Sequence, residues 1–335
     1  MIAIKAVRMH ATGEPDVLVW EDHQLPPPGA GEVRVRHTAI AFNFSDVNVR
    51  RGGFYIAKPL QFPVILGNEG AGIVEELGPG VSTVMAGDRV CYIGSGGPFY
   101  ENTGSYAHAR NLPASCLIPL PPGISDTQAA AIMLKGLTAS LVIHRNFKPG
   151  PGDAVLIHTA TGGVGLVLAQ WCKHLGAEVF GTVGSSEKAE IARAHGTDHA
   201  ILYRETDFVK AVREMRPGGV AAVFDGVGRD TFLPSLDCLQ PFGILVNYGN
   251  ASGHPEPLDL LLLAKKGSLT VTRPAFSHHI ANPGDQKRAC EELFGLIISG
   301  AIRVEIGGSY ALRDAAQAHR DVEARRVAGS IVLIP

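Results

Sequence analysis

The chain has 335 residues, 45% of them hydrophobic and 19% charged, which is the balance of a soluble globular protein long enough for two domains. Its formal net charge of −2 excludes recruitment of nucleic acid or an anionic membrane by bulk electrostatics. The 40 glycines and 22 prolines fall singly or in turn-like pairs without a fixed period, so they indicate many tight turns rather than a fibrous or low-complexity chain.

The first eight residues alternate like a strand and lack the long apolar core of a signal peptide. No run approaches the roughly 18 apolar residues that cross a bilayer; the densest, at 258–264, is short and contains Asp259. Five scattered cysteines, Cys91, Cys116, Cys172, Cys238 and Cys290, argue against a disulfide framework and for a reducing, cytoplasmic setting.

Up to about residue 125 the segments read as β: 33–37 alternates, 72–75 is strand-like, and 87–92 follows a turn. Closely spaced Gly and Pro between them suggest a barrel-like, mostly antiparallel domain. From 126 to 270 the pattern turns to strand, helix, strand, helix. Strands are expected at 154–158, 178–183, 199–203, 221–225 and 244–248, and helices at 166–175, stopped by Gly176, and at 186–195. Such alternation specifies a parallel sheet covered by helices on both faces. After Pro274 a helix at 286–299, a strand, a helix at 312–326 and a last strand at 330–334 look like a return to the first domain. The expected organisation is therefore 1–125 with 271–335 as a β-rich catalytic domain and 126–270 as a doubly wound nucleotide-binding domain.

The strongest chemical motif is Ala160-Thr161-Gly162-Gly163-Val164-Gly165, between a strand and a helix. It fits the dinucleotide fingerprint G-x-G-x-x-G with Ala160 in the first glycine position. Gly162 lets backbone approach a pyrophosphate, Gly165 lets helix pack on strand, and the helix start offers free N–H groups. An NAD-specific site places an acid about 20 residues on, at the end of the second strand. Here stand Gly184-Ser185-Ser186-Glu187-Lys188. Small hydroxyl residues and Lys188 suit a 2′-phosphate, while Glu187 falls in the first turn of the next helix, where an acid is ordinary. The pattern favours NADPH.

With that fingerprint in mid-chain, the sequence resembles the medium-chain dehydrogenase/reductase superfamily: Gly67-Asn68-Glu69-Gly70-Ala71-Gly72 looks like its G-H-E-x-x-G, and Gly87-Asp88-Arg89-Val90 matches its G-D-R-V turn. Residues 41–46, 134–138, 225–231, 248–253, 271–274 and 329–335 further resemble the zinc-free quinone oxidoreductases, the zeta-crystallin relatives. The resemblance implies a GroES-like domain beside a Rossmann domain, a homodimer, and NADPH-dependent reduction of a quinone or related enone. It also leaves open an alkenal or enone double-bond reductase, and a non-catalytic NADPH-binding sensor or crystallin-like structural protein.

The metal-bearing branch places Cys and His where this chain has Asn43 and Asn68. Amides are poor Zn²⁺ ligands and no spaced structural-zinc cysteines are present, so no metal is expected. Catalysis then rests on geometry and hydrogen bonding: a hydride donor carbon held about 3–3.5 Å from the acceptor carbon, with N–H donors facing the oxygen that gains charge. By resemblance, Asn43 and Arg273 line the space beside the nicotinamide, with Asp46 holding one of them. The residues themselves also allow Asn43 as a helix cap, Asp46 in the first helical turn, and Arg273 in a salt bridge. The resemblance further implies Gly163 and Val164 under the pyrophosphate. Gly184, Ser185, Ser186, Lys188, Tyr203 and Arg325 are implied around the adenosine phosphate, and Thr138, Tyr248, Gly249, Asn250 and Thr272 along the rest of the cofactor. Asn48 and Leu141 stand where the family tends to carry aromatics, which makes the acceptor pocket more open or polar; Phe54 and Tyr55 are candidates for a replacement wall.

Overall fold

The computed structural model describes residues 1–53, 59–94 and 102–335; Phe54 and Tyr55 lie outside the described residues. The chain divides into two compact units, Met1–Leu134 with Ile306–Pro335, and Lys135–Glu305. In chain order the first holds β1 (Ile2–Met9), β2 (Leu18–Leu25), β3 (Glu32–Phe42), α1 (Phe44–Arg50), β4 (Val64–Ile65), β5 (Glu69–Leu77), β6 (Arg89–Ile93), β7 (Ala109–Pro113) and β8 (Leu117–Pro119). The second begins within α2 (Asp126–Arg145) and runs through β9 (Ala154–Ile157), α3 (Gly163–His174), β10 (Glu178–Val183), α4 (Ser186–Ala194), β11 (His199–Leu202), α5 (Phe208–Met215) and β12 (Val220–Asp225). It continues with α6 (Phe232–Ser235), β13 (Leu239–Asn247), α7 (Leu260–Lys265), β14 (Thr270–Thr272), α8 (Phe276–His279) and α9 (Pro283–Ile298). The chain then returns to the first unit as β15 (Ile306–Ala311), α10 (Ala315–Glu323) and β16 (Ser330–Ile334).

The first unit is the mostly antiparallel β domain that the short, Gly/Pro-punctuated strands predicted. A sheet in the order β15-β16-β3-β5-β6-β8, with β7 also on β3, lies beside a smaller β2-β1-β4 sheet. β3 is the central strand, paired with β16, β5 and β7, and most of its residues are buried, Arg36 excepted. Met9, Ile40, Phe42, Val47, Leu66, Tyr106 and Leu333 close one core around it, with Ala315 and Ala318 of α10 packed against them.

The second unit is the doubly wound sheet that the alternation called for. Its six strands run β11-β10-β9-β12-β13-β14, all parallel. In strand order this is 3-2-1-4-5-6, whose direction reverses between β9 and β12. β9 is buried along its whole length, as a central parallel strand must be. α3 stops where expected: Gly176 takes φ of 90°, the left-handed conformation that a Cβ disfavours.

The boundary differs from the expected one. Residues 271–305 belong to the nucleotide-binding unit, not to the β-rich one. The reason is that β14 adds to the parallel sheet, Leu245 facing Val271. α9 covers the same unit, its Leu293 side chain lying 2.4 Å from the place a Cβ on Gly136 of α2 would take. At the front end, residues 126–134 stay with the first unit. Among the described residues no helix is long and apolar enough to cross a membrane, and all five cysteines are free thiols.

Candidate active site

In the first unit, Asn43 sits at the junction of β3 and α1, in extended conformation as the N-cap of the helix. The antiparallel register sets Ile40 opposite Gly70, which brings Glu69, the first residue of β5, up to that junction. Glu69 is fully buried. One carboxylate oxygen accepts from Nδ2 of Asn43 at 2.7 Å and the other from the backbone N–H of Leu134 at 2.6 Å. Charge-assisted bonds of this kind fix the Asn43 amide in one orientation. Asp46, also buried, accepts from the Asn43 backbone N–H at 3.0 Å and from the Tyr106 hydroxyl at 3.1 Å. Asn43 therefore does cap a helix, and one N–H of its Nδ2 is turned to Glu69, which anchors the amide whose donors the sequence suggested. Asn68 is buried, and neither of its amide atoms has a hydrogen-bond partner among the described residues.

Behind Tyr106 lies His319 of α10, Nε2 3.5 Å from the hydroxyl and its ring edge-on to Phe42. Burial, with Arg50 nearby, holds this imidazole neutral, its pKa pushed down to about 3.

In the second unit the glycine turn begins with Thr159 at φ 57°, a left-handed conformation that a β-branched side chain adopts only when its surroundings force it. Its amide donates to Oγ1 of Thr182 at 3.3 Å, and its carbonyl accepts from Gly162 at 2.8 Å. Gly165 packs so closely that an added Cβ would lie 2.2 Å from that carbonyl oxygen. α3 begins at Gly163, not at 166 as the periodicity suggested, so the turn delivers the first-turn N–H groups of Gly163 and Val164 with no intrahelical carbonyl to receive them. Gly162 contributes its close backbone, since its own N–H is occupied. Lys135 of α2 runs its buried stem along this turn, its Cδ 2.7 Å from where a Gly163 Cβ would be. Thr138 stands one turn further along α2, half-buried.

The end of β10 carries no acid. Ser185 is the N-cap of α4, its hydroxyl accepting from the Lys188 backbone at 3.3 Å, with Ser186 and Glu187 in the first turn. The Tyr203 hydroxyl lies 3.2 Å from a Cβ built on Gly184, so this side chain leaves its strand for the same corner. Arg325, in the other unit, follows α10 at φ 57°, a conformation normally left to glycine.

The parallel register lines up a row of polar residues along the carboxyl ends of the strands, where open α/β sheets bind ligands. Ile157 faces Phe224, Asp225 faces Asn247, and Val246 faces Thr272, so His158, Asp225, Asn247 and Arg273 follow one another across four strands. The buried Asp225 carboxylate accepts from the Val227 and Gly228 amides, the Thr231 hydroxyl and Nδ2 of Asn247 at 3.1 Å. An acceptor-only carboxylate thus forces the Asn247 carbonyl oxygen the other way, where it takes Nη1 of Arg273 at 2.7 Å. Asn250, oriented with Nδ2 toward the Gly249 carbonyl, offers its oxygen to Nη2 of Arg273 at 3.2 Å. No ion pair to Arg273 accompanies these bonds among the described residues. Tyr248 lays its ring over Gly226, and burial with Asp225 nearby raises its hydroxyl pKa. His158 is held between Thr182 and Ser235, and burial lowers its pKa to about 4. Glu69, Asp225 and Asn247 carry no local signal of their own beyond their position at the end of a strand.

A strained glycine turn heading the first strand of a 3-2-1-4-5-6 sheet, in a chain whose other unit is a β domain with a held amide, defines a two-domain, dinucleotide-dependent oxidoreductase. Residues 29–122 match the alcohol dehydrogenase GroES-like domain family and residues 163–289 the zinc-binding dehydrogenase family. The chain is 44% identical over 332 residues to a quinone oxidoreductase of Pseudomonas aeruginosa, covering 99% of both. It is 41% identical to a 2-haloacrylate reductase of Burkholderia, again across 99% of each. It superposes on the Escherichia coli quinone oxidoreductase complexed with NADPH at a TM-score of 0.92 and 40% identity, covering 99% of this chain and 100% of that one. The protein belongs to the quinone oxidoreductase family of the medium-chain dehydrogenases/reductases.

Proposed function

We propose that the protein reduces quinones and related enones with NADPH, and that it does so without a metal. The observation that carries this is the glycine turn on β9, with Thr159 held left-handed and Gly165 closed onto its carbonyl, beside a β10 end that lacks an acid. The residues fit NADPH: Gly163 and Val164 present N–H groups for the pyrophosphate, with Gly162 giving close backbone. Gly184, Ser185, Ser186, Lys188 and Tyr203 serve the adenosine phosphate. Thr138, Tyr248, Gly249, Asn250 and Thr272 serve the nicotinamide half. When bound, NADPH supplies the hydride.

The chain's own groups hold the geometry. Glu69 fixes the Asn43 amide and Asp46 fixes its backbone, so Asp46 is a positioning residue. Asp225 and Asn247 fix the guanidinium of Arg273, which offers donors without changing charge. The metal-free reading rests on donor chemistry, since Asn43 and Asn68 carry amides at the two ligand positions of the zinc-bearing branch. We place the enzyme in the cytoplasm on its free cysteines. We also propose a homodimer built on the edge strand β14, near which Phe242, Leu260 and Leu261 of the same unit are exposed.

The likeness to a 2-haloacrylate reductase, with Asn48 and Leu141 in place of aromatics, favours a second reading in which the acceptor is a conjugated carbonyl compound. Turnover of 1,4-benzoquinone and 9,10-phenanthrenequinone, measured beside alkenals and 2-chloroacrylate with a chelator present, separates the two. Quinone turnover with NADPH is the expected result. Activity confined to the conjugated acceptors transfers the assignment to the second reading. Quenching of Trp20 and Trp171 fluorescence by NADPH without turnover of any acceptor establishes binding alone.

A further inference from the structure

Arg204, two residues past β11, played no part in the sequence argument for NADPH. It is exposed, and its guanidinium forms no hydrogen bond or ion pair with any described residue, although Glu205 is its neighbour in sequence. Its Nε lies 3.6 Å from a Cβ built on Gly184, beside the Tyr203 hydroxyl at 3.2 Å. That places the guanidinium at the carboxyl end of β10, where NAD-specific sheets put an acid to receive the adenosine ribose hydroxyl. A guanidinium standing where an acid would otherwise bind the 2′-hydroxyl reverses the preference of the site, because its rigid fork makes charge-assisted, bidentate bonds to a phosphate dianion and only a single ordinary bond to a neutral hydroxyl oxygen.

We propose that Arg204 is the principal residue selecting NADPH over NADH in this chain, donating its fork to the 2′-phosphate, with Lys188 and the Tyr203 hydroxyl as lesser partners. Lys188 is ranked the lesser cation because its ammonium is a point charge on a flexible stem, without a bidentate fork. The inference rests on the placement of the adenosine phosphate at this corner.

The test is equilibrium binding, by fluorescence quenching or calorimetry, of NADPH, NADH and 2′,5′-ADP to wild type and to Arg204→Gln, Arg204→Lys, Lys188→Gln and Tyr203→Phe, each checked for an unchanged melting temperature. Arg204→Gln is expected to weaken NADPH and 2′,5′-ADP about 10- to 100-fold while leaving NADH within about twofold. Arg204→Lys is expected to recover part of the loss, and Lys188→Gln to cost less than Arg204→Gln. If Lys188→Gln and Tyr203→Phe abolish the NADPH preference and Arg204→Gln does not, the inference is overturned and the phosphate corner stands. If no variant changes the ratio of NADPH to NADH affinity, the corner itself is misplaced. Equal losses of NADPH and NADH in Arg204→Gln also overturn it, since they mark general binding rather than phosphate selection.

Discussion

Two Gly→Ala substitutions in the same unit are expected to have opposite signs. At Gly165 an added Cβ would lie 2.2 Å from the Thr159 carbonyl oxygen and 3.1 Å from the Ala160 Cα. Ordinary contact needs more than about 3.4 Å, so the backbone of the turn must move by roughly 1 Å, and backbone cannot swing aside as a side-chain tip can. Overpacking of this kind costs about 1–3 kcal/mol. Moving the Thr159 carbonyl also strains its bond from the Gly162 amide, worth about 1 kcal/mol. The helical gain of Ala over Gly returns at most about 1 kcal/mol, leaving a net loss of about 1–3 kcal/mol. At about 2–4 °C per kcal/mol for a unit of this size, the melting temperature is expected to fall by about 2–12 °C. Because the displaced turn carries the N–H groups of Gly163 and Val164, NADPH is expected to bind at least about tenfold more weakly. Gly295 lies on the exposed side of α9 with nothing within 4 Å of an added Cβ. There the same change is expected to raise the melting temperature by about 1–3 °C and to leave NADPH binding alone. Thermal unfolding and fluorescence titration of both variants suffice. A Gly165→Ala protein that melts at or above wild type and binds NADPH within twofold would refute the close packing that supports the cofactor site.

Three further outcomes are expected. Glu69→Gln replaces one carboxylate oxygen with an NH₂ that must face the Asn43 Nδ2 or the Leu134 N–H. The turnover number is expected to drop about 10- to 100-fold, with the NADPH dissociation constant within about twofold; an unchanged turnover number means the amide needs no such anchor. His37, His158 and His319 are buried, with pKa pushed down by desolvation to about 4, 4 and 3. Each binds a proton more readily unfolded than folded, so the stability they contribute is complete above pH 6.5 and is lost as pH falls toward 4, by on the order of 3 kcal/mol apiece. A melting temperature flat between pH 7 and pH 4.5 would contradict that burial. Phe242 is 80% exposed at φ 62° beside the edge of the parallel sheet. Phe242→Glu, alone or with Leu261→Glu, is expected to shift the mass measured by light scattering from dimer to monomer. A wild type that is already monomeric removes the proposed two-fold contact.

The legible parts of the fold are those whose burial is one-sided or whose ends carry punctuation. β10 is found at 178–183 as read, because a stopping glycine and a helix cap bound its β-branched and aromatic residues. α2 escaped assignment for the opposite reason: residues 129–137 are almost entirely buried, so no polar face marks a helical period. The strand expected at 244–248 starts at Leu239, since Gln240-Pro241-Phe242-Gly243 has the composition of a turn while its backbone stays in the sheet through a register shift. The helix expected over 312–326 is α10, preceded by a single 3₁₀ turn at 312–314.

The site divides along the same line. A glycine fingerprint is a property of consecutive residues, so its place on a strand–turn–helix could be read directly. The row of His158, Asp225, Asn247 and Arg273 is a property of register between strands more than 20 residues apart, and a single sequence does not state register. This also explains why Arg273 was readable only through resemblance, and why its two supports were not readable at all. Nothing local distinguishes an Asn that ends a strand from one that orients a guanidinium. What distinguishes Asn247 is that Asp225 accepts its NH₂, so that only its carbonyl oxygen is left for Arg273. If Arg273 works at the reacting end as proposed, its aim is set by Asp225 and Asn247, and substitutions of those two are expected to act on turnover before they act on cofactor affinity.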